Sequence, residues 1–117
     1  MDPQFIRLQD ICPFQVAAGA IGRPLFGEGA MINLVELEPN SVVPVHSHPN
    51  EQLGIVLRGL QVLVVGGDEH ALEPMDGYVI PAGVEHGARF GPAGATVLDV
   101  FHPVRDDYLK RWEEAAS

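Results

Sequence analysis

Two histidines separated by one residue, His46 and His48, are the side chains of this sequence best suited to chemistry. Side chains alternate with a period of two along a β-strand, so histidines at this spacing point to the same face. Imidazole is a good ligand for zinc, copper, iron and nickel, and a carboxamide oxygen can add a harder ligand. Gln52 follows closely, and a third histidine, His86, comes after a Pro-x-Gly turn. The H-x-H pair alone is equally well explained by two polar residues near a loop, so the rest of the chain must decide.

The composition and charge exclude several classes of partner. The chain has 117 residues, enough for a single domain with a buried core, and its 13 glycines and 10 prolines indicate many turns. A net charge of −9 argues against nucleic acid or an anionic membrane as a partner, since both require a basic surface. An acidic small molecule would need a local positive site, from a metal ion or a particular arginine. Cys12 is the only cysteine and no apolar run approaches bilayer length, so we expect a soluble cytoplasmic protein.

The apolar segments predict an all-β protein. Within residues 31–102, short runs rich in valine, isoleucine and leucine alternate with turn signals such as Arg58-Gly59 and Gly66-Gly67-Asp68. This spacing predicts nine or ten short strands in an antiparallel sandwich or barrel. Residues 1–30 are apolar pieces broken by proline and glycine, which we interpret as an arm or edge strands that could equally contact a second subunit.

Only the tail, residues 103–117, is typical of a helix. Acidic residues precede basic ones over residues 106–112, which complements the helix dipole. Tyr108 and Trp112 are four residues apart and would share one face. We expect that face to pack onto the barrel.

Two spaced motifs resemble those of the cupins. The first cupin motif is G-x5-H-x-H-x3,4-E-x6-G and the second is G-x5-P-x-G-x2-H-x3-N. The corresponding residues of the first motif here are Asn40, His46, His48, Gln52 and Gly59. Those of the second are Met75, Pro81, Gly83, His86 and Phe90. The resemblance implies a double-stranded β-barrel of the jelly-roll type with a short C-terminal helix. It also implies one divalent metal ion, among Ni, Zn, Fe, Mn and Co, bound by His46, His48, Gln52 and His86.

The departures from the cupin motifs are informative. Asn40 and Met75 stand where the family has glycine; asparagine tolerates a left-handed turn, and Gly77 could absorb the bend near Met75.

Gln52 replaces the glutamate ligand, and alternation along the strand predicts that Gln52 points inward and Glu51 outward. Three imidazoles and one amide leave the metal charge uncompensated, which favours a Lewis acid and anion binder. The set differs from the histidine and carboxylate sets typical of Fe(II) oxygen chemistry.

The last predicted strand contains a carboxylate among apolar residues. Asp99 shares a face with Phe101, and a lone carboxylate in such a strand is costly to bury unless it is paired or has a function. One interpretation is a structural ion pair between Asp99 and Arg105 that fixes the tail to the barrel. The other is an active residue.

The C-terminal pattern resembles one cupin group more closely, the pectin-degradation proteins of the KdgF type. These open the ring of 4,5-unsaturated uronates released by pectate and alginate lyases. The group has H-S-H-P-x-E-Q and later L-D-V-F-x-P-x-R-x-D-Y-L, and the sequence matches both over residues 46–52 and 98–109. The resemblance implies that Asp99, Phe101 and Arg105 are active residues. Asp99 would shuttle protons, Arg105 would bind the uronate carboxylate, and Phe101 would provide an apolar wall.

Three functions remain open at this point. The first is a metal-assisted enzyme that opens the ring of an acidic sugar, working as a homodimer. The second is a cupin oxygenase or isomerase that uses the same metal ligands, which redox-active iron and oxygen uptake would distinguish. The third is a non-catalytic module that binds a sugar or another small molecule without turnover.

Overall fold

Eight β-strands and one α-helix make up most of the chain, and the computed structural model describes all of residues 1–117. The strands are β1 (Phe14–Ala17), β2 (Ala20–Phe26), β3 (Met31–Leu37), β4 (Val42–His46), β5 (Glu51–Val65), β6 (Asp68–Leu72), β7 (Gly77–Ile80) and β8 (His86–His102). The helix, α1, spans Asp106–Ala116, and a single 3-10 turn, Leu8–Asp10, precedes β1. The prediction of an all-β protein with a short C-terminal helix is confirmed.

The strands form one antiparallel sheet that is folded over on itself. The order is β1-β2-β3-β8-β5-β6, while β4 also pairs with β8 and β7 also pairs with β5. The two long strands, β5 with 15 residues and β8 with 17, run side by side through both halves of the barrel. The first half of β5 pairs with β7 and the second half with β6. Each long strand therefore belongs to both layers of the barrel.

Continuous long strands replace several predicted short ones, so residues 31–102 form six strands rather than nine or ten, with β1 and β2 before them. The expected turn at Arg58-Gly59 is instead a bulge within β5, where the register with β8 shifts. Gly59 has a φ of 82°, and a Cβ built there would lie 2.1 Å from the carbonyl oxygen of Gly94. Because a bulge bends a strand without ending it, β5 changes layers at this point. Only glycine fits so close to the neighbouring backbone.

Two non-glycine residues adopt left-handed backbone conformations at the motif glycine positions. Asn40 has a φ of 59° and Met75 a φ of 75°. Asparagine tolerates this region, as predicted. The expectation that Gly77 would absorb the second bend is wrong, because Met75 adopts the left-handed conformation itself. The Met75 amide donates to the carbonyl of Val56 at 2.7 Å, and this contact helps to hold the turn.

The tail helix packs against the barrel through its aromatic face. The Tyr108 ring lies 5.2 Å from that of Phe14, and the Trp112 ring lies 5.5 Å from that of Phe26. The predicted shared face of Tyr108 and Trp112 is thereby confirmed, and the helix continues beyond the predicted residue 112 to Ala116. No helix has both the length and the hydropathy needed to cross a membrane.

The N-terminal region mostly folds back onto its own sheet. Strands β1 and β2 form a hairpin, and β2 pairs with β3 along its whole length. The residues before the hairpin are different, because they have little regular structure. Among them, Phe5 is 94% exposed and Ile6 is 47% exposed.

Candidate metal centre

Three histidines come together at one end of the barrel. His46 ends β4 and His86 begins β8, and the two residues face each other in register. Their ring centroids are 4.4 Å apart, and the His48 ring lies 5.6 Å from His46 and 5.0 Å from His86. One ring nitrogen from each histidine lies within 4.8 Å of the others. His48 follows the end of β4 rather than lying within the strand as the spacing suggested, yet its ring still joins the group.

Backbone carbonyls fix the orientation of all three imidazoles. Each Nδ1 atom lies within hydrogen-bonding distance of a carbonyl oxygen. The acceptors are Pro44 at 2.8 Å for His46, Asn50 at 3.0 Å for His48 and Val84 at 2.9 Å for His86. A carbonyl oxygen can only accept, so the proton of each neutral ring is on Nδ1 and the lone pair is on Nε2. This arrangement is typical of histidines that bind a metal through Nε2.

The free atoms of the group fit a cation. The Nε2 atom of His86 is buried without any hydrogen-bond partner. The Nε2 atom of His48 lies 3.0 Å from Oε1 of Gln52, so two acceptors face each other when Nδ1 carries the ring proton. A bound divalent cation would satisfy these lone pairs at once, and three imidazoles with one amide oxygen are a suitable donor set.

Burial keeps two of the histidines in the form that binds metal. Removal from solvent lowers the pKa of His48 and of His86 below the ordinary imidazole value, and the positive charge of Arg105 acts in the same direction. Gln52 is buried and Glu51 is exposed, as the strand alternation predicted. The sequence therefore identified both the inward residue and the outward one.

A cavity of about 60 Å³ extends from the histidines into the barrel. Its lining includes Gln52, Asp99, Phe101 and Arg105, together with mainly apolar residues from the barrel interior. A second cleft, of about 280 Å³, shares His46 and Arg105 with the cavity. Three of the four candidate metal ligands, His46, Gln52 and His86, therefore line the same space as the candidate active residues.

Asp99 is held by a tyrosine that the sequence analysis did not identify. The hydroxyl of Tyr78 donates to Oδ1 of Asp99 at 2.5 Å. Burial raises the pKa of Asp99 to about 6, although the hydrogen bond from Tyr78, the nearby amide of Gln52 and the charge of Arg105 act in the opposite direction. The carboxyl group therefore titrates close to neutral pH, which suits a group that both accepts and returns a proton.

Arg105 has its own partners. Its Nε and Nη2 atoms donate to the two carboxylate oxygens of Asp107 at 3.1 and 2.7 Å. The guanidinium carbon lies 3.6 Å from the ring centroid of Tyr108 and 5.1 Å from that of Phe101. The structural ion pair between Asp99 and Arg105 is thus wrong as an interpretation, because each group has a different partner. The side chain of Arg105 is buried, and its Nη1 atom donates to no protein atom.

Two buried amides were also missed. Asn33 and Gln61 line the cavity, are 1% and 4% exposed, and each carries a buried polar atom without a partner. Asn33 faces Asp99 in register across β3 and β8. Asn33 is a polar residue in an apolar strand, as Asp99 is. The same sequence pattern could therefore have identified Asn33 as a candidate site residue. Gln61 gave no such signal.

Comparisons with known proteins agree with the fold. The cupin domain family matches residues 33–101. The structure of KdgF from Halomonas sp. is 26% identical, with a TM-score of 0.84, over 92% of this chain and 99% of that one. An RmlC-like cupin from Shewanella frigidimarina NCIMB 400 is 25% identical, with a TM-score of 0.83, over 92% and 96% of the two chains.

The fold is shared with proteins of other activities. The polyketide cyclase RemF from Streptomyces resistomycificus is 23% identical, with a TM-score of 0.77, over 89% of this chain and 81% of that one. No curated protein matches the sequence. The family match covers more than half of the residues, and the barrel and the three grouped histidines agree with it. This chain belongs to the cupin domain family.

Proposed function

We propose that this cupin catalyses the metal-assisted opening of the ring of 4,5-unsaturated uronate sugars from pectin or alginate breakdown. The observation that carries the proposal is a single cavity lined by His46, His86, Gln52, Asp99 and Arg105. The likeness to KdgF in sequence pattern and in fold supports the same reaction.

In this reaction, some residues of the chain would bind the sugar and Asp99 would transfer a proton. A divalent ion bound by His46, His48, Gln52 and His86 would supply positive charge that polarises the sugar oxygens. Asp99 takes the proton from the anomeric hydroxyl as the bond from the anomeric carbon to the ring oxygen breaks. The hydroxyl becomes a carbonyl group, and Asp99 returns the proton to the ring oxygen. This step leaves an enol at the 4,5 double bond, and the enol becomes the linear ketone when a proton leaves its hydroxyl and one is added to the neighbouring carbon.

Local positive charge explains how an acidic protein could bind an acidic sugar. The net charge is −9, so a carboxylate approaches against the overall field. Arg105 lines both the cavity and the adjoining cleft, and Arg111 lines the cleft. The unpartnered Nη1 atom of Arg105 is available for the uronate carboxylate, and guanidinium binds carboxylates strongly. Phe101 offers an apolar surface beside it to the sugar ring.

The direct test is turnover of an unsaturated galacturonate freshly released by a pectate lyase. We expect proton NMR to show conversion of the cyclic sugar to the linear ketone, and we expect a chelator or His86→Ala to suppress it. Wild-type protein loaded with metal that binds the sugar without converting it would overturn the enzyme and favour a binding module. Stoichiometric oxygen consumption would overturn ring opening and favour an oxygenase.

We also propose that the active form is a homodimer. Phe5 and Ile6 lie in the exposed segment before β1 and have too few apolar neighbours in their own chain. Contact with a second copy would remove them from water, which is the main driving force for association. Sedimentation at micromolar concentration should show a dimer, and a monomer under those conditions would contradict this proposal.

A further inference from the structure

Three residues on neighbouring strands form a row that includes Asp99. The pairing of β8 with β5 places Asp99 opposite Gly54, and the pairing of β5 with β7 places Gly54 opposite Tyr78. Residues directly opposite each other in a sheet share a face. The middle position of this row has no side chain, so Asp99 and Tyr78 can meet above it.

The contact between Tyr78 and Asp99 occupies the space above Gly54. A Cβ built on Gly54 would lie 2.2 Å from Cζ of Tyr78, 2.3 Å from its hydroxyl oxygen and 2.6 Å from Oδ1 of Asp99. Gly54 does not have a positive φ, so its backbone does not require glycine. The requirement is therefore one of space, because any side chain at position 54 would separate the phenol from the carboxylate.

The two oxygens of Asp99 have different surroundings. Oδ1 accepts the hydrogen bond from Tyr78. Oδ2 accepts no hydrogen bond from the protein, and it is not among the buried polar atoms that lack a partner. Since Asp99 lines the cavity, Oδ2 is the oxygen that a ligand can reach.

We propose that Tyr78 is a positioning residue that fixes the carboxylate of Asp99 with Oδ2 toward the cavity, and that Gly54 provides the space this contact needs. The inference rests on the proposed function, in which Asp99 carries the proton. Burial and the neighbouring Asp99 carboxylate raise the pKa of the Tyr78 phenol far above its ordinary value, so the phenol keeps its proton and remains a donor.

The first test is Tyr78→Phe, which keeps the ring and removes only the donor. We expect kcat on the unsaturated galacturonate to fall about 10- to 100-fold, the scale of one hydrogen bond to a charged group. KM and metal content should change little, because the ring that lines the cavity is kept and no candidate metal ligand is altered. A kcat equal to that of the wild type would overturn the positioning role.

The second test separates positioning from packing. Gly54→Ala should lower both kcat and Tm, because the new methyl group displaces the Tyr78 ring. Adding Tyr78→Leu to Gly54→Ala removes the clash with the phenol but not the close approach to Oδ1 of Asp99, so Tm should recover in part while kcat stays low. Gly29→Ala is the matched control, since its φ is not positive and no heavy atom lies within 4 Å of the added Cβ. A double variant that regains wild-type kcat would overturn the proposal.

Crystal structures would test this inference independently of the proposed function. If the wild type does not convert the uronate, the proposed ring opening fails, and comparing wild-type and Tyr78→Phe structures still tests the positioning. We expect the Asp99 carboxylate to rotate when the hydroxyl is removed. A carboxylate in the same orientation in both structures would overturn the positioning role even if the enzyme is active.

Discussion

The guanidinium of Arg105 is bound by the carboxylate of Asp107, two residues along the chain, and not by Asp99. Asp99 in turn accepts its hydrogen bond from Tyr78, on a different strand. The two candidate active groups are therefore fixed by separate contacts, although both line one cavity. Substitutions at one should leave the position of the other largely intact, so their roles can be tested one at a time.

Asp99→Asn should reduce turnover and increase stability. The variant keeps the shape of the side chain but loses the base, so we expect turnover to fall by about 10²–10⁴-fold. Burial raises the pKa of Asp99 from 3.8 to about 6, which means that the folded protein favours the protonated form. The stability that this preference gives is present below pH 3.8 and is lost as the pH rises through about 6.

Asparagine avoids this ionisation penalty. At pH 7, the free energy of unfolding of Asp99→Asn should therefore exceed that of the wild type, by something on the order of 1–3 kcal/mol. Urea unfolding at several pH values measures the difference, which should shrink toward acid. A variant that unfolds more easily while its folded fraction keeps full turnover would show that Asp99 is purely structural.

Arg105→Lys should weaken substrate binding before it slows the chemical step. Lysine keeps the charge but loses the planar fork that matches a carboxylate, so we expect KM to rise more than kcat falls. Asp107→Asn is the matched control, because it removes the negative charge and one of the two acceptor oxygens beside Arg105 while the Tyr108 ring still supports the guanidinium. Steady-state kinetics on both variants make the comparison. Equal KM values for Arg105→Lys and the wild type would exclude a carboxylate contact.

Local patterns in the sequence are sufficient to predict the fold and to predict that the three histidines and Gln52 lie close together. Their spacing and strand alternation depend on residues near in sequence, and cupin-like motifs fix the rest. The interruption expected at Arg58-Gly59 did not occur, because a glycine bulge and a turn have the same local signature. Sequence spacing alone does not distinguish a strand that bends from a strand that ends.

The contact between Tyr78 and Asp99 could not be predicted in the same way. The contact depends on the register of β7, β5 and β8, and long-range pairing sets that register. It also depends on the absence of a side chain at Gly54. Neither Tyr78 nor Gly54 departs from an ordinary strand pattern. Charge alone favours an ion pair between Asp99 and Arg105, but the guanidinium of Arg105 instead pairs with Asp107 at 2.7 Å.

Met75→Gly should stabilise the protein. Met75 has a φ of 75°, a conformation that is unfavourable for a residue with a Cβ, and its side chain is 73% exposed, so little packing is lost. We expect the free energy of unfolding to rise by about 0.5–1 kcal/mol, since the relief of strain exceeds the greater flexibility of glycine in the unfolded chain. Asn40→Gly should give a smaller gain in the same urea experiment, because asparagine tolerates this conformation. A decrease for Met75→Gly would mean that the turn is not strained.

The metal should dissociate from the protein in acid, and at a lower pH than the pKa of free imidazole would predict. Metal binding requires neutral imidazoles, and burial holds the pKa of His48 and of His86 below the ordinary 6.5. A lowered pKa means less competition from protons at a given pH, so occupancy should persist at pH 6.5 and fall as the pH decreases further. Dialysis over a series of pH values followed by elemental analysis measures it. Full occupancy at about pH 4, well below the usual imidazole range, would contradict binding through these histidines.

Gln52→Glu tests whether the ion acts by its charge. The carboxylate has a similar reach but would cancel part of the metal charge, so metal affinity should stay the same or increase while turnover of the acidic sugar falls. Calorimetric titration with the metal and kinetics on the unsaturated galacturonate measure the two effects. Glu51→Gln is the control, since it alters charge at the exposed neighbouring position and should change neither quantity. If Gln52→Glu turns the sugar over as fast as the wild type, the neutral amide is not needed, and the ion does not act as an uncompensated Lewis acid.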